Sequence, residues 1–477
     1  MNLKKLLNEN TYEILRKTYL VAFIMAVLTR VLLPVALHET QFVNTLVFSF
    51  VAIFGAGIIL IDFFTKRVFL RQKNIIWLLF FLAACLISSV INVKYGVLGN
   101  IRNLVWLAIS FLLLYPIDGE RSTDDVKKEI KFVTNILILV WFVACSVSLG
   151  MFLFQIGFYV DIYPDSFARL GFIEGRLFGV FEDPNYAAVV AIAVILFSIF
   201  NIKNSSRKFL KILYFLNIVV NFCYVVLSGS RTAEVSAFIV IFLSAYFVLL
   251  KKFKDKKAKL ILKQLILIGT SLLCSFALIF GIVFTRKMLS YLPEFVGAPF
   301  QTESVSEPRI RKHVDTTRED VNNSTDVSNC RFKIWQSALE LFRSKPIFGT
   351  SPRNMRTYAK VEFPNGFIAQ RSYAVHNAYL DVLTSTGIVG ALTLIVFFVK
   401  YLIFVFKFLF LNLKSKNYYM VLFNFSVVAT VAISAFFLSE IFFVSTIGVL
   451  VFWLNLGYSC YFIDRDAVEC KDLAKSV

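Results

Sequence analysis

Two polar stretches decide how this chain is organised, and they read RFKIWQSALELFRSKPIFGTSPRN at residues 331–354 and HNAYLDVLTSTGIVG at residues 376–390. The first stretch carries apolar residues at helical spacing, which predicts an amphipathic helix from Arg331 to Arg343 on a membrane surface or against a helix bundle. Its apolar positions are Phe332, Trp335, Ala338, Leu339 and Phe342. The second stretch leads directly into a long apolar run. Polar residues and a long apolar run are therefore adjacent in this part of the chain.

The rest of the chain is too apolar for a soluble globular protein, because 58% of its 477 residues are hydrophobic and the apolar runs recur at membrane-spanning length. The sequence predicts an all-α polytopic membrane protein with about twelve transmembrane helices. The predicted spans are 18–37, 43–64, 75–92, 97–115, 132–157, 186–202, 208–228, 232–250, 265–285, 379–411, 418–440 and 442–463.

Basic residues cluster in alternate loops between these runs, so the positive-inside rule predicts that both termini are cytoplasmic. The loop 158–185 and the long loop 286–378 then face outward. This gives three parts: helices one to nine in 1–285, a large extracytoplasmic loop in 286–378, and helices ten to twelve with a cytoplasmic tail in 379–477. The polar composition of residues 301–329 predicts a mobile segment within the large loop.

Several function classes are excluded by composition and motifs. The net charge of +19 comes from short clusters between apolar runs, with no basic stripe interleaved with aromatics, so nucleic acid is not an expected partner. The seven cysteines show no zinc spacing, and the chain lacks the common metal and nucleotide motifs on its predicted outer side. We therefore expect no metal and no cofactor.

Charged residues in apolar spans need a partner or a water-filled cavity. In the predicted topology these residues share the outer side, which favours an outward-opening polar cavity over individual arginines that reach for lipid headgroups. They are Arg30, Arg102, Arg231, Glu234, Asp381 and Glu440.

His376 directly precedes a predicted membrane helix. Either His376 or Asn377 can cap that helix, and a capping or interfacial histidine is one interpretation. The alternative is a general base, because the imidazole pKa lies near neutrality.

Two shorter motifs carry further polar residues. GRLFGVFEDPN at 175–185 places Arg176 and Asp183 around a turn, and SGSR at 228–231 leaves Arg231 at the membrane surface. The alternative interpretation of the first motif is an ordinary loop, and that of the second is an ordinary helical hairpin.

Taken together, these motifs resemble the O-antigen ligase and polysaccharide polymerase superfamily of bacterial envelopes. The resemblance rests on GRLFGVFEDPNYAA at 175–188, SGSRT at 228–232 and the two stretches quoted first, in which His376 and Gly387 form a His-x10-Gly pattern. It implies a GT-C-like glycosyltransferase that uses undecaprenyl-pyrophosphate-linked saccharides at the outer face of the bacterial inner membrane.

The resemblance also implies roles for individual residues. The essential arginine and histidine of the family's long loop fall on Arg331 and His376, which we predict to be catalytic. Arg176 and Arg231 fall where the donor pyrophosphate would be held. Further predicted substrate-binding residues are Asp183, Asn185 and Asn377.

The resulting hypothesis is a polymerase that transfers a growing lipid-linked glycan onto a lipid-linked repeat unit, for O-antigen or capsule assembly. It is expected to invert the anomeric centre without a metal. One alternative is a ligase that moves glycan to lipid A core or to a protein. Another is a lipid-linked oligosaccharide flippase or transporter. Expected partners are the undecaprenyl-pyrophosphate-linked oligosaccharide, membrane lipids and other glycan assembly proteins such as a flippase or a chain-length regulator.

Overall fold

Helices dominate the structure, a computed structural model that describes residues 9–32, 41–163, 166–255, 260–297, 313–318 and 328–475. Each of the twelve predicted apolar runs contains a helix, which confirms an all-α polytopic architecture in outline. The helices are α1 (Glu9–Val31), α2 (Gln41–Phe64), α3 (Val68–Arg71), α4 (Ile75–Ile91), α5 (Leu98–Ile109), α6 (Thr123–Leu153), α7 (Pro184–Asn204), α8 (Lys208–Ser228), α9 (Arg231–Lys252), α10 (Leu260–Leu289), α11 (Leu292–Gly297), α12 (Arg331–Ser344), α13 (Met355–Glu362), α14 (Phe367–Arg371), α15 (Ala378–Leu411), α16 (Tyr418–Ser434) and α17 (Ile447–Lys475).

Eight helices within the described part of the chain are long and apolar enough to cross a membrane. Three others are apolar but shorter, namely α4, α16, and α5 with the π-helical turn Ser110–Leu114 that continues it. The count of twelve spans, the GT-C relationship and the division at residues 285 and 378 stay predictions. Most of 301–329, which we predicted to be mobile, lies outside the described residues.

A three-stranded antiparallel sheet was not predicted and lies in the loop that follows α6. Its strands are β1 (Gly157–Tyr163), β2 (Ser166–Ile173) and β3 (Arg176–Gly179), in the order β1-β2-β3. Glu174 and Gly175 both have positive φ and form a two-residue connection between the paired residues Ile173 and Arg176. Such a turn matches the twist of a hairpin, which explains why Arg176 begins a strand.

The chain divides into two compact units. Unit 1 comprises Met1–Ala26, Thr45–Glu129 and Cys330–Val477, and unit 2 comprises Val27–Asn44 and Ile130–Asn329. Unit 2 holds most of α6, the sheet and helices α7 to α11, and unit 1 holds most of the remaining helices. The predicted site residues are distributed over both units, with Arg331, His376 and Asn377 in unit 1.

The predicted amphipathic helix is confirmed as α12, but its buried face differs from the predicted one. Ile334, Ala338 and Leu341 are buried in a small core with residues of α13 and α14, whereas Phe332 is 68% exposed. Leu339 is exposed as well. The helical spacing was right, and Ala338 of the predicted apolar set is buried, but Ile334 and Leu341 belong to a second apolar set that only tertiary packing selects. The segment thus has a hydrophobic core of its own.

Helix α15 is interrupted at Gly387, which has φ 63° and ψ −165°. The run 379–411 was expected to tilt or to project beyond the membrane, because it exceeds the length of one crossing. The interruption explains the excess length, since residues 388–411 alone reach the roughly 20 residues that a crossing requires.

Candidate active site

The start of α15 is held against the chain segment that follows α16. His376 has a left-handed backbone with φ 52°, and its N–H donates to Ser439 Oγ at 3.1 Å. The side-chain oxygen of Asn377 accepts from the N–H groups of Tyr379 and Leu380 at 3.1 and 3.0 Å, so Asn377 and not His376 is the helix cap of the two candidates. The N–H of Ala378 donates to Ala435 O at 2.8 Å. A non-glycine residue in this conformation persists only where its surroundings determine it.

Asp381 extends this network but was not among the predicted site residues. Its carboxylate is hydrogen-bonded to Ser439, whose hydroxyl oxygen also accepts the N–H of His376. A hydroxyl group can donate one hydrogen bond and accept two, so Ser439 can connect both residues. Asp381 lies in the first turn of α15, where a negative charge interacts favourably with the helix dipole. The sequence analysis named Asp381 only as a charged residue in an apolar span. Its link to His376 runs through Ser439, which lies far along the chain.

Arg331 lies beside the same short segment, with its guanidinium carbon 5.7 Å from the centre of the Phe437 ring. Helix α12 is tied to the residue before His376, because Trp335 Nε1 donates to Val375 O at 3.2 Å. The two predicted catalytic residues thus both contact the segment 437–439. A shared substrate cavity stays a prediction.

The interruption of α15 receives the loop that follows α12. Thr350 N donates to Thr384 O at 3.0 Å and Ser351 N donates to Ser385 O at 2.9 Å, which satisfies carbonyl groups where the first helical segment ends. On the other side of the break, Ile388 N donates to Pro346 O at 2.8 Å. The loop therefore pairs with both ends of the broken helix.

Glycine is required for this pairing. A Cβ atom at Gly387 would lie 2.3 Å from Ile347 O, and one at Gly349 would lie 2.4 Å from the carbonyl carbon of Ser385. Both glycines also have positive φ. The glycine of the His-x10-Gly pattern thus permits the loop to approach, and the loop in turn positions the residues that follow it.

Those residues include Arg353, which α5 and the segment after α16 hold in place. Arg353 N donates to Asn100 Oδ1 at 2.9 Å, and its Nη1 lies 3.4 Å from Phe443 O. A Cβ atom at Gly99 would lie 3.2 Å from Arg353 Cβ, so the side chain runs along the start of α5.

Three arginines and one carboxylate interact around this position. Arg356 and Arg102 lie close enough to Arg353 to repel it, and Asp381 attracts it. Surrounding protein atoms, followed by the charges of Arg356 and Arg102, lower the pKa of Arg353 from its ordinary value. Arg353 lies within the quoted stretch 331–354 and Arg356 lies just beyond it, and neither was among the predicted site residues.

Unit 2 contains the other predicted residues. Arg176 is only 6% exposed, and its Nε donates to Ser228 O at 2.9 Å and its Nη2 to Asn185 Oδ1 at 3.1 Å. Asp183 Oδ1 accepts from Asn185 N at 2.7 Å and from Asn185 Nδ2 at 3.0 Å, and so caps α7. The structure thus links Arg176, Asn185 and Asp183, as their common motif suggested.

The SGSR turn lies next to Arg176. Ser230 caps α9 by accepting from Ala233 N at 3.3 Å, and Arg231 is the first residue of that helix. Arg318 Nη1 donates to Gly229 O at 2.9 Å. A Cβ atom at Gly229 would lie 3.2 Å from Arg318 Cδ and 3.8 Å from Arg176 Cγ. Sequence reasoning missed Arg318 because it belongs to a polar segment without periodicity.

No group of three or more His, Cys, Asp or Glu residues that could hold a metal ion occurs in the described ranges. The predicted site residues are arginines, a histidine, one aspartate and two asparagines.

The helices and these polar networks define a multi-pass membrane protein that carries arginine-rich sites. Residues 216–395 match the sequence family described as O-antigen ligase. Over these residues, which are less than half of the chain, the protein is similar to the O-antigen ligase and polysaccharide polymerase superfamily, whose members are glycosyltransferase-like enzymes that act on polyprenyl-linked glycans. The match covers Arg231, Arg331, His376 and Gly387 but not Arg176. No curated protein matches the chain.

Proposed function

We propose that the protein is a polysaccharide polymerase that transfers a growing undecaprenyl-pyrophosphate-linked glycan onto a lipid-linked repeat unit. The observation that carries this proposal is the left-handed His376, tied through Ser439 to Asp381 inside the matched domain. Strained backbone around a titratable residue clusters at active sites. Catalysis would take place at the outer face of the bacterial inner membrane, with both termini in the cytoplasm.

The proposed reaction is a direct displacement at the anomeric carbon of the donor sugar. The acceptor hydroxyl oxygen forms the new glycosidic bond, and the bond from the anomeric carbon to the pyrophosphate oxygen breaks. The bonding electrons leave with the pyrophosphate, and the hydroxyl proton goes to the His376 imidazole. Attack from the side opposite the leaving group inverts the anomeric centre.

Arginine supplies the charge that this step requires. Negative charge develops on the departing pyrophosphate, and guanidinium groups stay protonated and form forked hydrogen bonds to phosphate oxygens. We assign Arg331, Arg176 and Arg231 to binding lipid pyrophosphate, with Asp183, Asn185 and Asn377 as supporting substrate-binding residues. The mechanism uses no metal.

A ligase is the second candidate, because the matched family is described as O-antigen ligase. The chemistry at the donor is the same in both enzymes, and only the acceptor differs. A transporter would use a broken helix to bind its substrate. Here the protein's own loop 346–351 satisfies the backbone groups at the break in α15, which favours a structural role for the break.

Reconstitution with a defined lipid-linked repeat unit tests the proposal. Wild-type protein should build a ladder of glycans, whereas His376→Ala and Arg331→Ala should not. An acceptor arm with lipid A core distinguishes a ligase. Ladders of normal length from both correctly inserted variants would contradict the proposed site. Loss of the wild-type ladder in excess chelator would contradict metal-independent transfer.

A further inference from the structure

Arg102, Arg353 and Arg356 form a group of exposed arginines in unit 1 that the assigned roles do not use. Among the described residues, Arg102 and Arg356 form no hydrogen bond or ion pair through their side chains. The group holds three positive charges, and among the described residues the carboxylate of Asp381 attracts Arg353. Asp381 is already hydrogen-bonded to Ser439. An excess of positive charge therefore remains at this position.

The fold forces these charges together. Asn100 and the Gly99 contact hold Arg353 at the start of α5, the helix that also carries Arg102. Asn354 Nδ2 donates to Gly96 O at 2.9 Å, which fixes the loop just before Arg356. Arg356 and Arg102 repel Arg353, and a bound polyanion relieves such repulsion. Preorganised arginines of this kind suit a phosphate ligand.

The position of these arginines relative to His376 indicates which phosphate group they bind. Ser439 connects the backbone of His376 to Asp381, and Asp381 lies within interaction distance of Arg353 and Arg356. A general base must reach the attacking hydroxyl, and the leaving group departs from the opposite side of the same carbon. A leaving pyrophosphate is therefore bound close to the base.

We propose that Arg102, Arg353 and Arg356 bind the departing pyrophosphate of the lipid-linked donor. This inference rests on the proposed function and adds three residues to it.

Equilibrium binding of undecaprenyl pyrophosphate to the full-length protein in phosphatidylcholine nanodiscs tests the inference without turnover. Arg102→Gln, Arg353→Gln and Arg356→Gln should each weaken binding by about tenfold or more, since a hydrogen bond between charged groups is lost. Arg356→Lys should restore part of the affinity, because lysine keeps the charge but not the fork. The matched control is Arg343→Gln, an exposed arginine in the last turn of α12. Its affinity should equal that of wild type.

A second arm replaces part of the phosphatidylcholine with phosphatidylglycerol, which distinguishes lipid pyrophosphate from phospholipid headgroups. Wild type should retain its affinity for undecaprenyl pyrophosphate there. Displacement by phosphatidylglycerol, or unchanged affinity in all three glutamine variants, would overturn the inference. If wild type binds through these arginines but makes no glycan, the proposed function fails and the arginines remain a binding site for polyprenyl pyrophosphate. If wild type makes glycan and the variants bind normally, only this inference fails.

Discussion

Arg176 in unit 2 and Arg353 in unit 1 are both arginines, but the groups that surround their side chains differ. The Arg176 side chain is buried, and Ser228 and Asn185 accept its hydrogen bonds. Arg353 instead lies beside Arg102 and Arg356, which repel it. The first arrangement stabilises a fold, because buried acceptors obtain their donor. The second arrangement favours an anion that the protein itself does not supply. Presence in a family motif does not distinguish these two conditions, whereas the hydrogen bonds do.

The largest expected effect concerns His376, which the unit 1 network holds. His376→Ala should lower the transfer rate by about 10² to 10⁴, the usual contribution of a general base. His376→Gly should be equally inactive but more stable than His376→Ala by about 1 kcal/mol, because glycine adopts positive φ without strain. Rates come from ladder assays and stability from thermal unfolding in detergent. An active His376→Ala variant would show that His376 is not the general base.

The second-largest effect is expected for Gly387→Ala. This variant tests whether the backbone pairing between the loop 346–351 and the break in α15 positions Arg353. The new Cβ would lie 2.3 Å from Ile347 O at a residue with positive φ. We expect a loss of about 2–4 kcal/mol in the free energy of unfolding. Gly57→Ala is the matched control, because a Cβ there meets nothing within 4 Å inside α2. Equal thermal midpoints for both variants would show that the loop does not depend on the break.

Arg176→Ala tests the structural side of the comparison. Its removal leaves Ser228 O and Asn185 Oδ1 without this donor, and an unsatisfied buried acceptor costs about 1–3 kcal/mol. Arg356→Gln should change stability by less than about 0.5 kcal/mol, because no protein group loses a partner. Thermal unfolding and the yield of folded protein measure both. Reversal of this order would show that Arg356, and not Arg176, supports the fold.

The smallest effect is expected for Gly229→Ala, at the turn between Arg176 and Arg318. Alanine at φ 59° costs about 1 kcal/mol, and its Cβ would displace Arg318 Cδ, now 3.2 Å away. The end of a flexible side chain can shift, so the backbone of the turn should survive. A thermal midpoint as low as that of Arg176→Ala would show that Arg318 is as firmly held as Arg176.

Much of the helical architecture follows from the sequence alone. Long apolar runs predict helices because every backbone polar group must be satisfied within the membrane. The predicted helix from Arg331 and the cap at Asn377 are both present. Periodicity did not reveal which apolar face of α12 is buried, nor the sheet after α6. Both depend on contacts with residues distant in the chain.

The site could be predicted only in part, for a similar reason. Motifs indicated His376, Arg331 and Arg176, because their residue types suit glycosyl transfer from a lipid pyrophosphate. The partners that decide what these residues can do come from elsewhere in the chain. Ser439 lies far along the sequence from His376, and Asn100 lies far from Arg353. Single-sequence patterns carry no information about such pairs.

Hydropathy and helix periodicity are local properties, so the amino-acid sequence is enough to predict a helical membrane protein with polar residues concentrated in a few loops. The tertiary structure shows that Ser228 and Asn185 accept hydrogen bonds from Arg176, and that Arg102 and Arg356 repel Arg353. It also decided that α15 breaks at Gly387 to receive residues 346–351. Hydrogen bonding and electrostatic repulsion act between neighbours in space, and the fold alone determines those neighbours.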